Sequence, residues 1–192
     1  MTIRPASRQP IPESARLVFH GQLFDVYQWD QPQFDGSNRV FEKLKRPDTA
    51  YVIPVTDDCR LILAEQRQPG GTPYVGLVGG RIEPSETPEQ GAARELLEET
   101  GLMADHMILW DSYQFLPKID WAIFTYIAKG CRHIREQALD SGENITLISV
   151  TFDEFLDLVR KDSFGDVEVA LRILRLSSDP ARLKEAKEAL FG

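Results

Sequence analysis

The 192-residue chain has only two cysteines, Cys59 and Cys131, at a separation that suits neither a disulfide framework nor a zinc site. Both are expected to be reduced and buried. It has no apolar run approaching the roughly 20 residues that cross a bilayer, and "MTIRPASRQP" leads into no signal-like apolar stretch. The expectation is a cytoplasmic protein with no membrane partner. Basic residues are also in short supply. There are 22 Lys and Arg against 30 Asp and Glu, a net charge of −8, which excludes a general nucleic-acid binder because phosphate backbones need a basic face. A small anionic substrate stays compatible with that balance if cations neutralise its site. Repeats and low-complexity tracts are absent. What is present, 42% hydrophobic residues, suffices for one buried core and a small addition.

From about Leu17 to Arg46, apolar and polar residues alternate on both sides of the turn dipeptide Asp35-Gly36, which predicts antiparallel strands. "TAYVIPV", the turn "TDDCR" and "LILAEQR" read as a second hairpin, more continuously apolar and so more deeply buried. A short strand near Val75 to Val78 follows a Gly/Pro-rich loop and leads into Gly79-Gly80. A helix is predicted from about Pro88 to Thr100, with Thr87 as N-cap, Gln90 completing a capping box, Pro88 in the first position and Gly101 just past the end. "MILWDSYQF", "WAIFTYIAK" and "ITLISV" read as strands. "TFDEFLDLVRKD" reads as an amphipathic helix with Thr151 or Asp153 near its cap, and "DVEVALRILRL" and "PARLKEAKEAL" as terminal helices.

The stretch "RELLEETG" puts Glu95, Glu98 and Glu99 in the last turns of the central helix. Like charges face each other there, at the helix end whose dipole repels anions. At about 100° per residue, Glu95 lies at zero, Glu99 at about 40° and Glu98 at about 300°, while Ala92, Ala93, Leu96 and Leu97 cover an adjoining apolar face. Arg94 is the i, i+4 neighbour of Glu98 and can hold it. A solvated acidic face is the plain reading. Against it, Gly79-Gly80 offers an open backbone turn whose carbonyl could join the carboxylates, and the helix end tolerates cations. An oxygen-only set of this kind suits Mg²⁺ or Mn²⁺.

The segment "GRIEPSETPEQGAARELLEETGL", Gly80 to Leu102, resembles the Nudix box G-x5-E-x7-R-E-U-x-E-E-x-G-U, where U is apolar. Gly80, Glu86, Arg94, Glu95, Leu96, Glu98, Glu99, Gly101 and Leu102 occupy its defined positions. The resemblance implies an α/β fold, an α/β/α sandwich with a mixed central sheet. To this the alternating N-terminal segment adds a small antiparallel β-sheet, giving residues 1–46 and a main domain over residues 47–192. It also implies metal-assisted hydrolysis of a diphosphate linked to a nucleoside. Carried over to this chain, Glu95 and Glu99 are the principal metal ligands, Glu98 is a further ligand or base, and the Gly79 carbonyl is another ligand. Arg94 and Glu86 orient the others.

The N-terminal strands, the "AEQRQP" strand end, Pro117 fifteen residues beyond the box, and the acidic loop before the "TFDEFL" helix are similar to the branch that cleaves ADP-ribose and nucleoside diphosphate sugars. That likeness implies a homodimer built by swapping N-terminal strands, a site that borrows residues from the partner, and Glu143 as metal ligand or general base. "EQRQP" and "LPK" depart from the branch's usual strand end and proline motif, which bears on which sugar nucleotide is read. Arg46 and Arg67 are candidate phosphate contacts, with a strand-end ion pair as the alternative for each. Trp29 and Phe24 are candidates for stacking on a base, the alternative being a place in the core or an interface. Other readings are a Nudix hydrolase of nucleoside triphosphates or dinucleoside polyphosphates, a nucleotide-sensing Nudix domain without catalysis, and a structural role for the acidic face.

Overall fold

A computed structural model describes residues 2–192. The N-terminal strands β1 (Arg16–His20), β2 (Asp25–Pro32) and β3 (Asn38–Lys45) form an antiparallel sheet. The turn between β2 and β3 contains Gly36 at φ 83°, which a β-carbon disfavours. Lys43 is buried in this sheet, and its Nζ donates to Ser7 Oγ at 2.7 Å and to the Gln9 carbonyl at 2.5 Å. The N-terminal arm is thereby laid across the strands.

The core holds two sheets. Strands β4 (Thr49–Pro54), β7 (Val78–Arg81), β9 (His106–Gln114) and β11 (Ala122–Lys129) form a mixed sheet in the order β7-β4-β11-β9, with β4 and β11 parallel. Strands β5 (Leu61–Arg67), β6 (Tyr74–Gly76) and β13 (Asn144–Val150) form an antiparallel sheet in the order β13-β5-β6. The short β8 (Leu102–Met103) pairs with β12 (Arg132–His133), and β10 (Ile119–Asp120) joins the edge of β3.

The expected second hairpin is therefore corrected. β4 and β5 leave their turn into different sheets, and only a bridge between Val55 and Leu61 pairs them. The turn itself closes as read, with the Thr56 N–H donating to the Arg60 carbonyl at 2.9 Å. The expected strand near Val75 to Val78 is likewise divided at Leu77, β6 going to one sheet and β7 to the other.

Helix α1 (Pro88–Thr100) has the predicted bounds, and both bonds of the Thr87–Gln90 capping box form. Gly101 ends it at φ 70°. α1 packs Ala92 and Leu96 against Ala50, Val52, Phe124 and Tyr126 of the mixed sheet. Helices α2 (Phe152–Leu158), α3 (Val167–Ser177) and α4 (Pro180–Phe191) cover the opposite side through Phe155, Val169, Ile173 and Leu190 with Ile53, Leu63 and Ile127. Helices thus lie on both sides of the sheets, the α/β/α arrangement, and both faces of β4 and β11 are buried, which explains their unbroken apolar sequences. The cap of α2 is Thr151, bonded to Glu154. Cys59, expected to be buried, is exposed in the turn at φ 59°, and Cys131 is half-buried.

Candidate active site

The last two turns of α1 lie beside β7, where β4 and β7 bring Gly79 opposite Tyr51 and Gly80 opposite Ala50. A β-carbon at Gly79 (φ +143°) would collide with the Ala50 carbonyl, and one at Gly80 would stand 2.5 Å from Glu95 Oε1. The paired glycines are what let the carboxylates and the backbone approach so closely.

Arg94 organises the cluster. Its Nε donates to Glu86 Oε1 at 2.7 Å and its Nη2 to Glu86 Oε2 at 3.1 Å, a two-pronged pairing. Nη1 donates to Glu95 Oε1 and Glu98 Oε2, both at 2.9 Å, and Nη2 also reaches the Arg81 carbonyl at 2.8 Å. Glu86 accepts from the Glu83 N–H at 3.0 Å as well, and the Arg94 bond holds its carboxyl below the usual range.

Glu99 is 3% exposed, and its Oε2 accepts from the Gly79 N–H at 2.8 Å. Burial pushes its carboxyl up to about 8. The Gly79 bond opposes the rise, while the charges of Glu95, Glu143 and Asp166 add to it. Burial raises Glu95 too, against the pull of Arg94. Burial thus favours the protonated forms of Glu95 and Glu99 even with Arg94 beside them.

These groups line a cavity of about 500 Å³ together with Glu143, Arg46 and Trp121. The Arg46 guanidinium carbon lies 4.4 Å from the centre of the Trp121 ring and 5.9 Å from that of Phe24. Trp121 is held by a bond from its Nε1 to Thr49 Oγ1 at 2.9 Å. Arg46 Nε is buried and meets no acceptor among the described residues. A second cavity, of about 680 Å³, shares Arg46, Arg81 and Glu83 with the first and adds Arg4 and Lys45.

Among the described residues no three Asp, Glu, His or Cys side chains stand as a ready-made metal cluster, and Arg94 and the Gly79 N–H occupy several of the carboxylate oxygens. The donors still fit a hard divalent cation. They are all oxygens, the bare Gly80 backbone lets the Glu95 carboxylate lie directly against β7, and Glu99 is a buried carboxylate with no cation bonded to it.

Of the residues singled out in the sequence, Glu95, Glu98, Glu99, Gly79, Arg94, Glu143 and Arg46 meet at this cavity, and Glu86 stands behind Arg94. Four do not line it in the single chain, among them Phe24, whose ring centre lies 5.9 Å from the Arg46 guanidinium carbon. Trp29, 4% exposed, faces inward from β2 against Phe41, with ring centres 5.2 Å apart. Arg67, at the end of β5, opens onto a separate small hollow with Asn144 and Ser163. Pro117 lies between β9 and β10, beside Leu116 and Lys118. Reading the sequence missed Trp121, Tyr51 and Asp166, which also line the cavity. Trp121 opens a predicted strand and Asp166 a predicted helix, so a structural role absorbed both of them.

A description of the NUDIX domain matches residues 45–170. The chain is 30% identical over 175 residues to the ADP-ribose pyrophosphatase of Bacillus subtilis (strain 168), covering 90% of this chain and 92% of that protein. It is 29% identical over 167 residues to the methanol dehydrogenase activator of Bacillus methanolicus, covering 85% and 90% respectively. A crystal structure of an ADP compounds hydrolase superposes with a TM-score of 0.70 at 22% identity, over 88% of this chain and 94% of that one, a likeness of fold. With its box residues gathered around one cavity and the domain matched across most of its length, the chain belongs to the Nudix hydrolase family.

Proposed function

We propose that the protein hydrolyses the pyrophosphate bond of ADP-ribose or a related nucleoside diphosphate sugar, giving a nucleoside monophosphate and a sugar phosphate. The observation that carries this reading is the shared cavity, in which the carboxylates of Glu95, Glu98 and Glu99 lie with Arg46, whose Nε has no protein acceptor. The name of the Bacillus subtilis relative, matched over nearly its full length, supports the substrate class. So does the adjoining cavity, which gives room for a molecule longer than a mononucleotide.

Nudix hydrolases generally use divalent metals, and for this chain the oxygen donors favour Mg²⁺ or Mn²⁺. Glu95 and Glu99 would hold the metal, with Glu98 and the Gly79 carbonyl as further ligands. When bound, such a metal would supply positive charge to the phosphate oxygens and acidity to water. Arg94, fixed by Glu86, keeps Glu95 and Glu98 in place. Arg46 binds a phosphate oxygen of the substrate, since a guanidinium matches phosphate geometry. Glu143, on an exposed loop where its Oε2 accepts from the Asp140 N–H at 3.1 Å, takes the proton of the attacking water. The water oxygen bonds to one phosphorus, the bridging P–O bond breaks, and the bridging oxygen leaves with the other phosphate.

A homodimer through swapped N-terminal strands belongs to the same proposal. Phe19 and Val40, on one face of the N-terminal sheet, are both more than half exposed, an apolar surface suited to a second copy. Phe19→Asp is expected to shift sedimentation from dimer to monomer, and a wild-type protein that sediments as a monomer at micromolar concentration contradicts the dimer.

The functional test is phosphate release, coupled to a phosphatase, from ADP-ribose, GDP-mannose, UDP-glucose, diadenosine polyphosphates and nucleoside triphosphates, each with Mg²⁺ or Mn²⁺. Cleavage of a nucleoside diphosphate sugar is expected. Cleavage of triphosphates alone would overturn the substrate class.

A further inference from the structure

Helix α3 opens with two buried acids that neither the box nor the substrate contacts account for. Asp166 stands where a carboxylate ordinarily caps its own helix, yet it makes no such bond. Its side chain is instead turned across the fold, with Oδ2 accepting from the Leu77 N–H at 2.7 Å. Glu168, two residues on and equally 8% exposed, accepts through Oε1 from the Tyr51 hydroxyl at 2.9 Å. Leu77 is the link where the chain passes from β6 to β7, two residues before Gly79. Tyr51 is the residue paired with Gly79 between β4 and β7. The two acids therefore hold the entry to the strand that carries Gly79 and the strand paired with it.

Backbone bonds complete the grip, from the Val75 N–H to the Ser163 carbonyl and from the Gly165 N–H to the Val75 carbonyl, each 2.8 Å. The contact has no slack, because a β-carbon on Gly76 would lie 2.6 Å from Asp166 Oδ2 and one on Gly165 would strike the Tyr74 ring. Gly79 has no side chain of its own to anchor it, so its placement depends on these neighbours. Without the Asp166 acceptor, the Leu77 N–H becomes a buried donor with no partner, and the strand crossing relaxes to relieve it.

We propose that Asp166 and Glu168 are positioning residues: by fixing Leu77 and Tyr51 they hold the Gly79 backbone where its N–H orients Glu99 and its carbonyl completes the metal-binding oxygens, an inference that rests on the functional reading above. The test compares Asp166→Asn, whose amide oxygen still accepts from Leu77, with Asp166→Ala, which cannot, and with Phe155→Leu as a control for general loss of stability. Amide hydrogen exchange is measured on the metal-free proteins, and Mn²⁺ binding is followed by water-proton relaxation. Asp166→Ala is expected to lose about 10–100-fold in protection at Leu77 and Gly79 and a comparable factor in Mn²⁺ affinity, with kcat falling and KM nearly unchanged. Asp166→Asn restores most of each, and the control does not expose Gly79 selectively.

The proposal is overturned if Asp166→Ala keeps wild-type protection at Gly79 and wild-type Mn²⁺ affinity, or if its losses merely follow its Tm as the control's do. Should Asp166→Ala fail to fold, Tyr51→Phe removes only the hydroxyl bonded to Glu168 and carries the same measurement, with the same two results deciding it. Neither readout needs a substrate, so a wild-type protein that cleaves no diphosphate would sink the functional reading while exchange and Mn²⁺ binding still decide the positioning role.

Discussion

Arg94 and Arg46 are two guanidiniums on one cavity, and they are partnered in opposite ways. Arg94 spends its donors inside the protein, on Glu86, Glu95, Glu98 and the Arg81 carbonyl. The Glu86 bond leads the causes that raise its pKa. Arg46 lies against Trp121 with one long contact, 3.5 Å, to Thr49 Oγ1, and burial lowers its pKa. A guanidinium whose donors are all used orients its neighbours, whereas one with a bare, buried Nε is completed by an anion that binds. The first is therefore expected to serve kcat through the carboxylates and the second to serve substrate affinity.

The largest effect is expected at the carboxylates that Arg94 serves. Glu99→Gln should lower kcat by about 10³-fold, the scale of losing metal-assisted charge stabilisation, with the fold intact by circular dichroism. Arg94→Lys keeps the charge but loses the fork that spans three glutamates, so kcat should fall about 10–100-fold with little change in KM. Arg46→Ala should do the reverse, raising KM about 10-fold with kcat within about 3-fold, the loss of one charge-assisted bond to substrate. If Arg46→Ala lowered kcat and left KM alone, the distinction between the two arginines would collapse.

A further effect concerns stability and not turnover. Burial pushes the Asp166 carboxyl up to about 7 from an ordinary 3.8. As pH rises between those values the unfolded chain ionises this group while the folded protein keeps it protonated, so folding loses stability across that window. The metal-free protein should therefore melt lower at pH 8 than at pH 5. Asp166→Asn should remove about 2–4 kcal/mol of that slope, read by denaturant unfolding at the two pH values. An unchanged slope would mean that Asp166 ionises freely in the fold.

What the sequence disclosed of the site was the part that is local in the chain. Thr87, Gln90 and Gly101 mark the ends of α1 by bonds spanning a few residues, and the box glutamates share one helix, so spacing alone places them together. The unlike fates of β4 and β5 were not legible. Alternation and apolar content specify a strand but not its partner, and strands buried on both faces carry no mark of which edge pairs with which. Trp121, Tyr51 and Asp166 reach the cavity only once β4 lies beside β11 and α3 docks on the β6–β7 crossing. Trp29 stays away from the cavity of the single chain for a related reason: its strand alternates correctly, but its inward face packs on Phe41 of the neighbouring strand.

The most direct test of the account is a ³¹P NMR time course of ADP-ribose with the wild-type protein and Mg²⁺, beside Glu99→Gln and a chelator-treated sample. The account predicts that the diphosphate resonances give way to two phosphomonoester resonances in equal amounts, AMP and ribose 5-phosphate, and that both controls stay unchanged. Intact ADP-ribose, GDP-mannose and UDP-glucose alongside steady cleavage of a nucleoside triphosphate would contradict it.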